Sequence, residues 1–196
     1  MCLANCYNLN MPEEKLLILS CCAPCSAGVI KKLALQGRNF SVLFYNPNID
    51  QAQEYQKRLD ENKRLCKAFG VGFIELAYEP DVWHEAIQGL EGEPERGKRC
   101  SKCFYMRLER TARYAKEHGF THFSSVLGIS RHKDLEQVNE QARQVSAQEE
   151  LLYDFTNWRK GGTEELRREV IKELQLYNQT YCGCIFSRRG KNEKIA

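Results

Sequence analysis

The chain has 196 residues, a length that suits one α/β domain of ordinary size able to bury its own core. With 42% hydrophobic and 28% charged residues the composition excludes a disordered chain, and no stretch approaches the roughly 18 apolar residues of a membrane span. A formal net charge of +3 neither demands nor excludes an anionic partner, so where the cations lie matters more than their sum.

The first 15 residues, MCLANCYNLNMPEEK, lack the basic region and long apolar run of a secretory signal. Residues 1–14 are expected to form a tail and residues 15–196 a single catalytic α/β domain. KLLILS (15–20) reads as a short buried strand, and SAGVIKKLALQG (26–37) as a helix stopped by Gly37. FSVLFYNPNI (40–49) is a second strand running into an Asn-Pro-Asn turn. A long helix is expected over 52–70 and a third strand over 72–78. Residues 79–100, rich in Gly, Pro and charge, read as an irregular connection. In the amphipathic helix expected over 103–119, Phe104, Leu108, Ala112 and Ala115 share one face. A fourth strand (122–130), a charged helix (133–150), the segment LLYDF and a last helix around 163–176 complete the chain. Apolar strands alternating with helices imply a parallel sheet covered on both faces, with ligands taken at the strand ends. SCCAPCS, YNPNID and GISRHKD each follow a strand and would share that rim.

Ten cysteines are many for a chain without a secretory signal. In a reducing cytoplasm, clustered thiols more often bind metal or do redox work than form structural disulfides. Cys66 lies beside Leu65 in a helix and reads as a small buried hydrophobe. Cys2 and Cys6 fall in the tail. The remaining seven form three groups: Cys21, Cys22 and Cys25; Cys100 and Cys103; Cys182 and Cys184. Pairs separated by two intervening residues, as in Cys22–Cys25 and Cys100–Cys103, can put both sulfurs on one metal, and a helix N-terminus favours thiolate. Thiolate clusters suit zinc or iron–sulfur centres. A zinc tetrathiolate stapling a loop would use four of the seven. Adjacent Cys21 and Cys22 are expected to diverge too far to share one zinc, and a disulfide within Cys-Gly-Cys would close a small strained ring of the labile kind. A cluster plus a dithiol therefore accounts for seven better. CAPC also resembles a thioredoxin-type motif, a reading that leaves Cys100, Cys103, Cys182 and Cys184 without a task.

Basic residues flank the cysteines, among them Arg99, Lys102, Arg107 and Lys133, and this fits a phosphate-bearing substrate drawn over a metal site. Tyr105, Trp158, Tyr177 and Tyr181 are candidates to stack on an unpaired base. Cysteines stand after the first strand where a nucleotide enzyme would keep glycines, and no phosphate-cradling glycine loop is present, which argues against ATP or NAD chemistry.

CCAPC, YNPNI, RCSKCFYMRLERTARYAKEHGF, SRHKD and YNQTYCGCIFS occur in this order between about residues 15 and 188. Together they resemble the cobalamin-independent epoxyqueuosine reductases of the QueH family. The resemblance implies a Rossmann-like domain of the adenine-nucleotide α-hydrolase type. It also implies reduction of an epoxide on the wobble-position base of tRNA to the alkene of queuosine. A 4Fe–4S cluster would be held by Cys21, Cys22, Cys100 and Cys103. Cys182 and Cys184 would be the redox-active dithiol, and Cys25 is left for a second, mononuclear iron. Tyr45, Asp50, His132 and Asp154 are candidate proton donors, and Arg99, Lys102, Arg107 and Lys133 candidate tRNA contacts. The partners expected are tRNA carrying epoxyqueuosine and a low-potential electron donor such as a ferredoxin or flavodoxin, with the chain acting as a cytoplasmic monomer. The competing readings are a zinc-stapled RNA-binding module and a general thiol–disulfide oxidoreductase.

Overall fold

Residues 14–130 and 133–188 are described by a computed structural model. Strand β1 (Leu16–Ser20) is buried on both faces, its four aliphatic residues at most 1% exposed. Each such side chain contributes about 1.5–3 kcal/mol on burial, which fixes β1 at the centre of the core. Helix α1 (Ala23–Leu35) follows, then β2 (Phe40–Phe44), α2 (Ala52–Ala68) and β3 (Gly72–Glu75). Helices α3 (Pro80–Ala86) and α4 (Lys98–Glu117) precede β4 (His122–Ser125), α5 (Leu135–Glu149), β5 (Leu152–Tyr153) and α6 (Thr163–Leu174). The sheet is wholly parallel, in the order β3-β2-β1-β4-β5, with Leu16 opposite both Phe40 and His122.

This arrangement is the doubly wound sheet expected from the strand–helix alternation. The chain leaves β1 for β2 on one side and later returns to place β4 on the other. Beyond the ends of β1 and β4 the connections diverge and leave a crevice, the usual ligand position in such sheets. The strands are shorter than their apolar runs: β2 stops at Phe44 and β4 at Ser125, where a 3₁₀ turn (Leu127–Ile129) begins. Two expectations need correction. Residues 79–100 are not wholly irregular, since Pro80 starts α3. Helix α4 begins at Lys98 rather than at Cys103, so Cys100 and Cys103 lie inside its first turns, one helical turn apart on one face.

Two features set the walls of the crevice. Gly28 lets α6 rest directly on α1: a Cβ there would lie 2.2 Å from the Thr163 carbonyl oxygen. On the opposite side, Arg107 of α4 donates through Nε to the Tyr45 carbonyl (3.3 Å) and through Nη2 to Asn46 Oδ1. Asn46 Nδ2 donates in turn to the Ser20 carbonyl at the end of β1 (2.9 Å), and Ser20 Oγ to Asn62 Oδ1 of α2 (2.5 Å). These buried polar groups satisfy one another, so the rim is rigid rather than merely packed.

Candidate active site

Cys21 and Cys22 end the extended chain leaving β1, and Cys25 sits in the first turn of α1. The N-cap position, Cys22, makes no side-chain capping bond, so the positive end of the helix faces the thiols. The three sulfurs lie within 4.8 Å of one another, the sole such His, Cys, Asp or Glu group among the described residues. Cys21 and Cys22 Sγ are 3.7 Å apart. This corrects the expectation that adjacent cysteines diverge: although the backbone at Cys22 is extended (φ −169°, ψ 150°), the two sulfurs come within 3.7 Å.

Protons are unevenly shared among them. Hydrogen bonds from Cys22 and Cys25 hold the Cys21 thiol well below its ordinary value. Burial, and then the bond given to Cys21, pushes Cys22 up to about 12. Cys25 is raised by donating to Cys21 and Cys22 and by burial. One thiolate fed by two thiols is a donor set that a soft metal ion can take over by displacing the protons. Gln179 Nε2 also donates to Cys22 Sγ (2.6 Å).

The trio opens on a cavity of about 600 Å³ whose lining includes Cys21, Cys25, Cys182, Lys133, Arg58 and Arg167. Lys133 is 7% exposed. Burial opposes its charge, but the electrostatic pull of the Cys182, Cys21 and Cys25 sulfurs outweighs burial and holds the ammonium above its ordinary value. Cys103 lies in a small apolar cluster with Trp83, Ile87 and Met106, against which Cys184 and Phe186 pack. Cys100 Sγ accepts from the Arg96 amide (3.3 Å). Burial raises Cys100, and the nearness of Cys182 and Cys184 adds to it. Burial likewise raises Cys103, which also feels Cys182. The seven expected cysteines therefore gather at one end of the sheet. Cys25 stands with Cys21 and Cys22, while Cys100 and Cys103 stand with the Cys182–Cys184 loop.

Other expected residues fall differently. Arg99 and Arg107 do not lie on an outer surface for tRNA. Arg99 is 3% exposed, donates to the carbonyls of Leu90, Glu91 and Glu93, and stacks on Phe186, while Arg107 is buried in the rim network. Lys102 is exposed, and Lys133 faces the thiols. Among candidate proton donors, the Tyr45 hydroxyl is pushed up to about 12 by burial and by Glu79. Asp154 is tied to the Thr156 amide (2.9 Å) and lies 3.9 Å from Arg38. Asp50 borders the Cys182–Cys184 loop, its amide donating to the Gly183 carbonyl (3.2 Å). His132 lies outside the described residues. Of the four aromatics, Tyr181 lines the cavity, Trp158 is in the core, Tyr105 bonds Gln148, and Tyr177 bonds Glu54.

Sequence reasoning missed Arg58, Gln179 and Arg167. Arg58 had a legible signal. Tyr55, Leu59, Leu65 and Cys66 mark the buried face of α2, and Arg58 and Asn62 interrupt it at helical spacing. Glu54, Arg58 and Glu61, at i, i+4 and i+7, bind the C-terminal strap. Glu61 accepts from the Tyr177 amide (2.8 Å), Glu54 from the Tyr177 hydroxyl (3.0 Å), and Arg58 donates to the Tyr181 and Cys182 carbonyls.

The fold is similar to that of two solved structures. One is a predicted subunit of tRNA methyltransferase from Methanocaldococcus jannaschii (TM-score 0.55, 13% identity, covering 80% of this chain and 74% of that one). The other is the U34-tRNA thiolase NcsA from Methanococcus maripaludis with its 4Fe–4S cluster (TM-score 0.55, 14% identity, 89% and 61%). In sequence, the chain is 44% identical over 188 residues to epoxyqueuosine reductase QueH of Haemophilus influenzae, covering 94% of this chain and 77% of that one. It is 46% identical over 187 residues to the Acinetobacter baylyi protein of the same description (94% and 86%), and 33% identical over 183 residues to that of Thermotoga maritima (92% and 93%). A sequence model of epoxyqueuosine reductase QueH matches residues 16–190. With a match of that extent and relatives so similar over most of their length, the chain belongs to the epoxyqueuosine reductase QueH family.

Proposed function

We propose that this protein reduces epoxyqueuosine to queuosine at the wobble position of tRNA. The observation that carries the reading is the trio of buried thiols within 4.8 Å, opening on a cationic cavity in a chain that matches the family over residues 16–190. The reaction takes up two electrons and two protons, opens both C–O bonds of the epoxide to leave an alkene, and releases water.

The donor set fits a thiolate-bound iron centre: the sulfurs are soft, clustered, and aimed from a helix N-terminus. Cys21, Cys22, Cys100 and Cys103 are proposed as the ligands of a 4Fe–4S cluster, with Cys25 turned to a second, mononuclear iron. Such a centre, when bound, passes electrons singly and can polarise the epoxide oxygen. Lys133, Arg58 and Arg167 offset the thiolate charge, and Arg167, the least buried of the three, favours an RNA phosphate at the cavity mouth. Cys182 and Cys184 store two electrons as a dithiol and release them as a disulfide, which a ferredoxin- or flavodoxin-class donor would restore. Of the candidate proton donors, Asp50 is the one beside that loop.

The test is metal and sulfide analysis of protein purified without oxygen, together with mass spectrometry of nucleosides from tRNA carrying epoxyqueuosine. About four iron and four sulfide per chain, with conversion to queuosine, is expected; iron above four points to a second metal site. A zinc reading draws on one observation. Zinc–sulfur bonds of about 2.3 Å place tetrahedral ligands about 3.8 Å apart, close to the 3.7 Å between Cys21 and Cys22 Sγ. Zinc without sulfide, and no queuosine, would replace the reductase with a zinc-stapled RNA-binding module. Turnover of model disulfides by metal-free protein, without queuosine, would replace it with a thiol–disulfide oxidoreductase.

A further inference from the structure

We infer that Arg58 is a positioning residue that holds the Cys182-Gly183-Cys184 loop in its dithiol arrangement and thereby sets how readily the pair becomes a disulfide. The inference rests on the reading of these two cysteines as a redox pair.

Arg58 is 2% exposed, and each of its three side-chain nitrogens makes a hydrogen bond. Nε donates to Glu54 Oε1 (2.7 Å), Nη1 to the Cys182 carbonyl (2.9 Å) and Nη2 to the Tyr181 carbonyl (3.2 Å). A planar fork held by a carboxylate one turn away has little freedom, so it fixes whatever accepts from its far side. The next two carbonyls are taken as well. Gly183 accepts from the Asp50 amide (3.2 Å), and Cys184 accepts from Ser187 Oγ (2.7 Å) and the Ser187 amide (3.0 Å). Four consecutive carbonyls, 181 to 184, are thus bonded, and Arg58 supplies the first two bonds.

The loop fits this socket because of its glycine. Gly183 has φ +130°, and a Cβ there would lie 3.1 Å from Ile49 Cγ1, 3.2 Å from Arg58 Nη1 and 3.3 Å from Asn48 Nδ2. In the socket the two cysteines face different surroundings. Cys182 lines the cavity with Cys21 and Cys25, whereas Cys184 packs on the Trp83, Cys103 and Met106 cluster. Both are free thiols. Forming an S–S bond of about 2.05 Å requires the side chains to turn toward each other, and between neighbours so close in sequence the backbone about Gly183 must turn with them. The Arg58 bonds to residues 181 and 182 resist that rotation and favour the dithiol.

In the test, glutathione disulfide is the oxidant. The two thiols lose two protons and two electrons, one S–S bond forms, and glutathione disulfide becomes two glutathione. Folded protein is equilibrated without oxygen in glutathione buffers, blocked with an alkylating agent and digested with trypsin. Residues 173–188, ELQLYNQTYCGCIFSR, leave as one peptide in which Cys182 and Cys184 are the only cysteines, so its mass reports this pair alone. Arg58→Met is expected to raise the disulfide-to-dithiol ratio by about tenfold or more at fixed buffer, the scale of one lost charge-assisted hydrogen bond. Arg58→Lys, which keeps the charge but loses the fork, should fall between. Gly183→Ala disturbs the same contact from the loop side, leaves α2 intact, and should shift the ratio in the same direction. Arg58→Lys, which keeps the buried charge, decides the matter if Arg58→Met fails to fold. A wild-type ratio in every folded variant, even with a lowered melting temperature, would overturn the inference and leave Arg58 a stabilising residue only. If the wild-type peptide is never oxidised in any glutathione ratio, the redox-pair reading itself fails.

Discussion

Cys22 and Cys66 share a degree of burial and little else. Each is 1% exposed, and burial is the largest influence on each, pushing both up to about 12. Cys66, near the end of α2, has burial as its sole influence and sits in the main core. Cys22, at the start of α1, has Cys21 and Cys25 within 4.8 Å, Gln179 on its sulfur and a helix N-terminus beside it. Burial alone makes a thiol inert. Burial together with other thiols and a helix end makes a site, because one thiolate is held by its neighbours and a metal can displace the protons that remain.

The largest expected effects test that contrast directly. Cys22→Ser should strip metal from the protein and lower kcat/KM on epoxyqueuosine tRNA by more than about 100-fold, beyond the usual cost of disturbing a ligand's outer partners. Cys66→Ala should leave metal content and turnover unchanged. Loss of metal from Cys66→Ala would break the comparison. A smaller effect is expected where Gln179 touches the site. Gln179→Leu keeps all the thiols but removes the 2.6 Å donor to Cys22. It should weaken metal retention by about tenfold, read by competition with a chelator, without change in the circular dichroism spectrum.

A milder prediction concerns the order of thiol reactivity in metal-free protein. Cys21 carries the lowered thiol and lines the cavity, so iodoacetamide at neutral pH should label it ahead of Cys22, while Cys66 waits for denaturant. Peptide mass spectrometry reads the order, and early labelling of Cys66 would contradict its place in the core.

Much of this contrast was legible in residue order. Cys66 beside Leu65 on an apolar helical face reads as core, and CCAPC after an apolar strand reads as a rim site. The alternation of strands and helices carried the parallel sheet, because continuous apolar runs have few other ways to be covered. Three things were hidden. The 3.7 Å between the Cys21 and Cys22 sulfurs is set by tertiary placement that residue order does not show. The start of α4 at Lys98 was obscured by a Gly- and charge-rich approach that ends in a good N-cap, Gly97. The burial of Arg99 and Arg107 was unreadable because a basic run looks the same whether its guanidiniums face solvent or satisfy carbonyls, and only tertiary contact decides which.

The smallest effect is one of stability, and it isolates Cys66. Its folded value, about 12, lies above its ordinary one near 9, so the native state holds the proton more tightly than the unfolded chain does. The stabilisation this gives is fully present below pH 9 and is lost as pH rises toward 12, by at most about 1.4 kcal/mol per pH unit for one group. Tyr153, also pushed up to about 12 by burial, adds to the same decline. Subtracting Cys66→Ala from wild type cancels that shared part. Near neutrality the variant should be less stable by about 1 kcal/mol, the cost of a small cavity where the sulfur was. Because the variant has no proton to lose at this position, its stability falls less steeply above pH 9, and the two urea-unfolding curves should cross near pH 10, roughly one unit of that slope above the onset. Parallel stabilities from pH 7 to 11 would mean that the Cys66 thiol is solvated in the folded protein, and the contrast with Cys22 would then rest on position alone.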